Sequence, residues 1–541
     1  MSDDPKEPEN YTLTEEVEKL LSIYIKEDKV DEHKDVAKIN VSQTIGHVAF
    51  WYEKLRNAVD YQEEHLLRKN TIRRIIARKF NIPIPSTEKI SISLLRELVR
   101  ARYLTDTEFY QTTVDKIDEI IEKYSILRKE VILKHPNGES SKNNKILLDI
   151  IACEIEELLV SHDKEEALAG CMVLVMKRRF RTIEDEHNKL SDILIYIAVH
   201  RSLLKSDQAS IRFQLFKRHF PHWLNLENEQ EILNSWEKFL QMNKEIDGLL
   251  FDPLADKLQK IIKKKTAPFN ILNLVIKHNI QTAEETILAP KSLSNIVENI
   301  CQEQYSKTGS RVRRSVIQGI IYVFFTKMML GILFELPYDL LTLGKIHTLP
   351  LAINLIFPPS FMFLITTGVK VPDWHNTEKI LSEIKSIVYE EVKAKDTRIY
   401  SLNTAIKRTK TKSIFLSLLY ILTFIITLGL PIWLLVQLNF NLISGILFFF
   451  FLSVVSFFGF RIRQNARGLF VLEEKENWTG IISDFIFMPF LKIGKWLALK
   501  FQGVNIFLII LDFIIEAPFK SVMEVIEDWV AFMKEKKEEL T

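Results

Sequence analysis

Cysteine is scarce in this sequence. Cys153, Cys171 and Cys301 are the only three, far apart and without a CxxC pair. That argues against a disulfide framework or a zinc site and leaves buried free thiols in a reducing compartment. Charge of one sign is lacking too: 72 Lys and Arg stand against 70 Asp and Glu, a net of +2. So even a balance gives no electrostatic reason to expect a nucleic-acid partner. The opening residues, Met-Ser-Asp-Asp-Pro-Lys-Glu-Pro-Glu, hold no apolar run, so no signal peptide is expected there.

The short catalytic signatures are also missing. There is no HExxH, no GxSxG and no Rossmann glycine run, and Gly138-Glu139-Ser140-Ser141-Lys142 lacks the spacing of a phosphate-cradling loop. His219 and His222 form the one close histidine pair, but a proline intervenes and no carboxylate or cysteine adjoins, so neither metal nor cofactor is expected. These absences weaken an enzymatic reading without closing it, because intramembrane chemistry can use scattered polar residues. Alternation of period two is missing as well, which leaves an all-α chain with almost no sheet.

What is present is a chain split by composition. Up to about Ser310 it is charge-rich and helically periodic; beyond Val316 come apolar stretches of bilayer length, about 20 residues each. Four qualify: Val316 to Leu336, Leu349 to Val369, Ile414 to Leu438 and Leu442 to Phe460. Basic residues flank alternate ends: Arg311, Arg313 and Arg314 before the first, Lys407, Arg408, Lys410 and Lys412 before the third, Arg461, Arg463 and Arg467 after the fourth. The intervening turns are nearly neutral, so the rule that basic loops stay inside puts both termini in the cytosol. The expected location is integral to a membrane, the plasma or inner membrane in a bacterium.

The expected fold class is therefore a multi-pass helical membrane protein with a large N-terminal cytosolic helical-bundle domain. Residues 1–13 read as a disordered acidic start. Residues 14–310 read as the cytosolic domain, one bundle or two with a break near 136–145 or 268. Residues 311–369 and 413–460 form membrane hairpins, and 370–412 a cytosolic connector with Asn376 as helix N-cap and Ile380, Ile384, Ile387 and Val388 on one face. Residues 461–541 read as interfacial helices and a charged tail, with Trp478 and Trp496 at headgroup level and Lys492 and Lys495 toward phosphates. A fifth span or re-entrant hairpin is the alternative for 481–515.

Within the domain, Val114, Ile117, Ile121, Tyr124 and Leu127 make a clear helical stripe, and Ile45 to Leu66 another. The basic clusters Arg68 to Lys79, Lys177 to Arg181 and Lys263 to Lys265 read chiefly as solvated faces, with anionic headgroups as the second reading. Ser453, Ser456 and Gly459 put small side chains on one side of the fourth stretch, where another helix can approach closely.

Lys327 is the most informative residue, near the middle of the first stretch, where an unpaired ammonium costs roughly 3 kcal/mol or more. Its partners by sequence are Glu335, Asn354, Asp484 or Asp512. It is either a charge on an ion path or a structural ion pair or snorkelling lysine. Glu335 reads as an outer-boundary residue. Pro358-Pro359 removes two backbone donors in the second stretch, as in a transporter's broken helix or in an ordinary kink. Three functions follow in order: a non-enzymatic membrane-anchored scaffold binding a protein partner through its cytosolic domain; a channel or transporter subunit using Lys327 and the Pro358-Pro359 break, which requires a homo-oligomer; and a lipid-active membrane enzyme.

Overall fold

The computed structural model describes residues 11–28, 38–40, 63–81, 89–104, 108–134, 139–181, 188–226, 228–344, 346–367, 372–393, 400–401, 410–466, 478–503 and 529. Among the described residues thirteen α-helices precede residue 290. They are Glu15–Asp28 (α1), Glu64–Asn81 (α2), Ile90–Arg100 (α3), Gln111–Lys134 (α4), Glu139–Leu159 (α5), Asp163–Arg179 (α6), Asn188–Val199 (α7), Gln208–His219 (α8), Glu229–Asn234 (α9), Trp236–Leu250 (α10), Pro253–Lys263 (α11), Thr266–His278 (α12) and Ala283–Leu288 (α13). Strands among the described residues are four pieces of two or three residues, Lys38–Asn40 against Glu108–Tyr110 and Phe180–Arg181 beside Tyr400–Ser401.

Local chemistry explains the helices. In α11, Asp252 accepts a hydrogen bond from the Leu254 amide at 2.7 Å, Pro253 occupies the first turn, and Ala255, Leu258 and Ile262 are buried at steps of three and four. The stripe from Val114 to Leu127 is buried throughout α4. Ser140 to Asn144, read from sequence as loop, belong instead to the first turns of α5. The stripe from Ile45 to Val59 lies outside the described residues.

One contiguous apolar core runs through this unit, and it does not stop near residue 310. It takes in Ile380, Ile384, Ile387 and Val388 from Trp374–Val388 (α16) and Tyr389 just beyond its end. The start of the chain is clasped there: the Thr14 amide donates to Val388 O at 2.8 Å and the Glu390 amide to Thr12 O at 3.0 Å. The Tyr389 hydroxyl donates to Ile287 O at 2.7 Å. The N-cap of α16 is Asp373; the expected cap, Asn376, is buried and donates its amide to the Tyr305 hydroxyl at 2.9 Å. The connector is thus part of the helical unit's core.

Between these parts runs a continuous helix, Pro290–Leu330 (α14). Its Leu293, Val297, Ile300 and Cys301 belong to the core just described, and its Val323 to a second core with Met362, Phe451 and Val455. Winding continues past Pro337 through two π-type turns, Gly331–Glu335 and Asp339–Leu343, and stops at Gly344, whose φ of 66° suits glycine. The remaining helices are Thr348–Thr367 (α15), Lys410–Gln437 (α17), Leu442–Ala466 (α18) and Trp478–Gly503 (α19). Among the described residues four helices are long and apolar enough to cross a membrane: Pro290–Thr342, Thr348–Thr366, Ser417–Gln437 and Leu442–Gln464.

Small residues decide how this second bundle closes. A Cβ on Gly459 would stand 2.6 Å from Ile365 of α15, and one on Gly494 would stand 2.3 Å from the Ser453 carbonyl oxygen. The stripe on α18 therefore receives α15 at one point and α19 at another. Phe449 stacks on Phe490 with centroids 6.2 Å apart, one turn before the Ser453–Gly494 contact on both helices, so α19 runs lengthwise along α18 in the same direction. Asn439 takes the left-handed φ of 56° that closes the tight turn between α17 and α18.

Candidate functional site

Lys327 is buried, 1% exposed, and its ammonium lies 2.8 Å from Glu335 Oε1. In a plain α-helix eight residues turn through about 800°, leaving residue 335 about 80° off the face of residue 327. The wider winding of Gly331–Glu335 takes back part of that rotation, so the π-type turn is what lets the pair meet within one helix. Glu335 is only 2% exposed and central to the network.

Asn354 on α15 donates to the same Glu335 oxygen at 2.6 Å and to the Ser444 carbonyl of α18 at 3.0 Å. Three helices are thus joined through one carboxylate and one amide. The Lys327 ammonium also stands 5.2 Å from the centre of the Phe451 ring, where the ring's negative face adds attraction. A second polar group continues the network past Glu335: Asp339 accepts from the His347 amide at 3.0 Å and from the Asn441 side chain, and Asn441 in turn accepts from the Ser444 amide at 2.7 Å.

Pro358 and Pro359 lie inside α15, which continues through both, so the helix is not broken there. Lys327 is linked to α15 through Glu335, whose carboxylate accepts from the Asn354 side chain one turn before Pro358. Two acceptors, Glu335 Oε2 and Asn354 Oδ1, are buried without a hydrogen-bond partner among the described residues. Asp484, named as a partner by sequence, has no described side chain, and Asp512 lies outside the described residues.

The basic and aromatic candidates are dispersed. Arg311, Arg313 and Arg314 are exposed on α14, Arg461 is exposed on α18, and Arg463 is half-buried. On α19, Lys495 and Trp496 are exposed, while Lys492 bonds the Tyr420 hydroxyl and stands 4.6 Å from the centre of its ring. Lys410, Lys412 and Trp478 lie in helices without described side chains; Lys407, Arg408 and Arg467 lie outside the described residues.

Sequence reasoning missed Asp339, His347, Asn441 and Ser444, whose signal was their clustering in the short turns at one end of the apolar stretches. It also misread three cations. Arg68, Lys69 and Arg179 are buried and paired with Glu156, Asp207 and Glu383 respectively, and are not a solvated face. Among the described residues no group of three or more His, Cys, Asp or Glu is placed to hold a metal. No family model, no curated protein and no solved structure matches this chain.

Proposed function

We propose that this chain is a multi-pass membrane protein whose spans anchor and assemble it, and whose N-terminal helical unit works in the cytosol by binding a protein partner. The observation that carries this reading is the closure of Lys327. The central charge of the first span is bonded to Glu335, and the same carboxylate to Asn354, so the strongest polar groups at that depth hold helices together. Such pairs reward register and packing more than stability.

Topology has support of its own. Helix α16 shares a core with α1 to α13, which supports a topology in which α14 and α15 leave from and return to one side of the bilayer. The same side carries Arg311, Arg313 and Arg314, which agrees with retention of basic residues in the cytosol. In this reading α19, lengthwise on α18, is a fifth helix of the bundle and not a flat interfacial one.

Reconstitution into liposomes tests the anchoring role. The wild-type protein is expected to pass no ions above empty vesicles, and Lys327→Met, at equal reconstituted amount, to leave that background unchanged; a flux that Lys327→Met removes would favour a channel. Topology is read with an impermeant thiol reagent on single-cysteine variants, since the three native cysteines are buried. Ile346→Cys should label only from outside and Lys307→Cys only from inside.

A further inference from the structure

The helical unit contains a cavity of 240 Å³ between α2, α5, α6, α8 and α12, far more room than a single water needs. Its wall is acidic, with Glu63, Glu156, Glu157, Glu165 and Glu166, of which Glu156 is buried and the others are partly exposed. Four of these already carry cations. Glu156 accepts from Arg68 at 2.7 Å and is bonded to His162 at 2.7 Å; Glu157 pairs with Lys217, Glu63 with Lys205, and Glu165 with Lys277 at 3.4 Å.

Glu166 differs. Among the described residues it has no closer basic group than His200 Nε2 at 3.6 Å, beyond a hydrogen bond, and His200 is 1% exposed with that nitrogen unpartnered; Lys217 and His162 act on the carboxylate without bonding it. Burial pushes the His200 imidazole down to about 4, so at neutral pH it is uncharged and cannot neutralise Glu166. Burial, with Glu157 nearby, pushes the Glu166 carboxyl up to about 7, the mark of an anion short of a counter-charge. Asn270 lines the same cavity and offers a side-chain amide there. The same lining includes three apolar side chains, Leu203, Leu204 and Phe213.

We infer that this cavity is a binding site for a small organic ammonium ion, its N–H donors on the Glu166 carboxylate and the Asn270 amide oxygen and its alkyl part against Leu203, Leu204 and Phe213. One free carboxylate is too few oxygens for a divalent metal, which takes six or more. An amine needs only one anion and one or two acceptors, and the apolar side chains reward burial of its chain. The inference stands apart from the anchoring role proposed above.

The test is calorimetric titration of the full chain in detergent with n-butylamine hydrochloride, alongside tetramethylammonium, which has no N–H to donate. Saturable binding of the amine but not of tetramethylammonium is expected, abolished in Glu166→Gln and weakened about tenfold in Asn270→Ala, as for one lost hydrogen bond to a charged group. Leu204→Trp, which fills the cavity while leaving the carboxylate in place, should also block binding and covers the case that Glu166→Gln fails to fold. Absence of saturable binding, equal binding of tetramethylammonium, or wild-type affinity in Glu166→Gln or Leu204→Trp would overturn the inference.

Discussion

Lys327 and Glu335 are worth more as a pair than singly. Removing one partner of a buried ion pair leaves the other uncompensated, a loss of about 3–5 kcal/mol, whereas replacing both by apolar residues is close to neutral. Lys327→Met alone is therefore expected to lower thermal stability in detergent and reduce yield, and adding Glu335→Leu to restore most of both. Equal loss in single and double variants would show that the pair itself is not what matters. The sequence already pointed to this constellation, because an ammonium deep in an apolar run must find an acceptor, and Glu335 and Asn354 were the nearest. Arg68, Lys69 and Arg179 were opaque for the opposite reason: their acceptors lie 88, 138 and 204 residues away, and nothing local distinguishes a buried arginine from a solvated one.

Two titrating residues set opposing pH trends in the helical unit. Glu166 has a carboxyl raised to about 7 in the fold, so it releases its proton on unfolding and costs stability as pH climbs from about 4.5 to 7. The cost amounts to about 1–2 kcal/mol once its partial exposure is allowed for. His200, held down to about 4, gains a proton on unfolding, so stability is lost as pH falls from 6.5 to 4, by about 3 kcal/mol. Over most of that acid range Glu166 is itself neutral and gives His200 no counter-charge. Urea unfolding against pH should lose its acid limb in His200→Phe, which keeps the stack on Tyr196, and its rise toward acid in Glu166→Gln. A variant with the wild-type profile would refute the assignment for that residue.

Among the elements, α19 was the hardest to read ahead of its structure. Asp484, Pro489, Lys492 and Lys495 interrupt its apolar run and suggest a helix lying at a surface. The structure accommodates Lys492 against the Tyr420 hydroxyl and ring, and uses Gly494 to bring the backbone onto Ser453. The small-residue stripe of α18 was legible, but not its partner, because a docking face has no spacing rule of its own. Gly494→Leu has no room against that carbonyl and is expected to push α19 away from α18. Cross-linking of Phe449→Cys to Phe490→Cys with a short bis-maleimide should proceed in the parent and fall at least tenfold with the leucine; undiminished cross-linking would mean that another contact holds the helices.

For the molecule as a whole, the four long apolar helices were the most legible feature, since length and hydropathy suffice to find them. The boundary of the helical unit was not. Composition changes near residue 310, yet the core resumes with α16 after an intervening hairpin, and no local pattern announces that return. A fragment of residues 1–310 would expose the surface that Ile380, Ile384, Ile387 and Val388 cover, four buried aliphatic side chains worth roughly 1.5–3 kcal/mol each. It is expected to aggregate, and a fusion of 1–310 to 372–401 through a flexible linker to stay soluble with a cooperative melt. A well-behaved 1–310 fragment would show that α16 is dispensable.

Because α14 passes from one core into the other without a loop, it works as a keyed shaft. Each residue turns such a shaft by about 100° and lengthens it by about 1.5 Å. The compass bearing of one body above the other is therefore a matter of residue count between Cys301 and Lys327, and a single insertion there would swing the two out of alignment with no slack to absorb it.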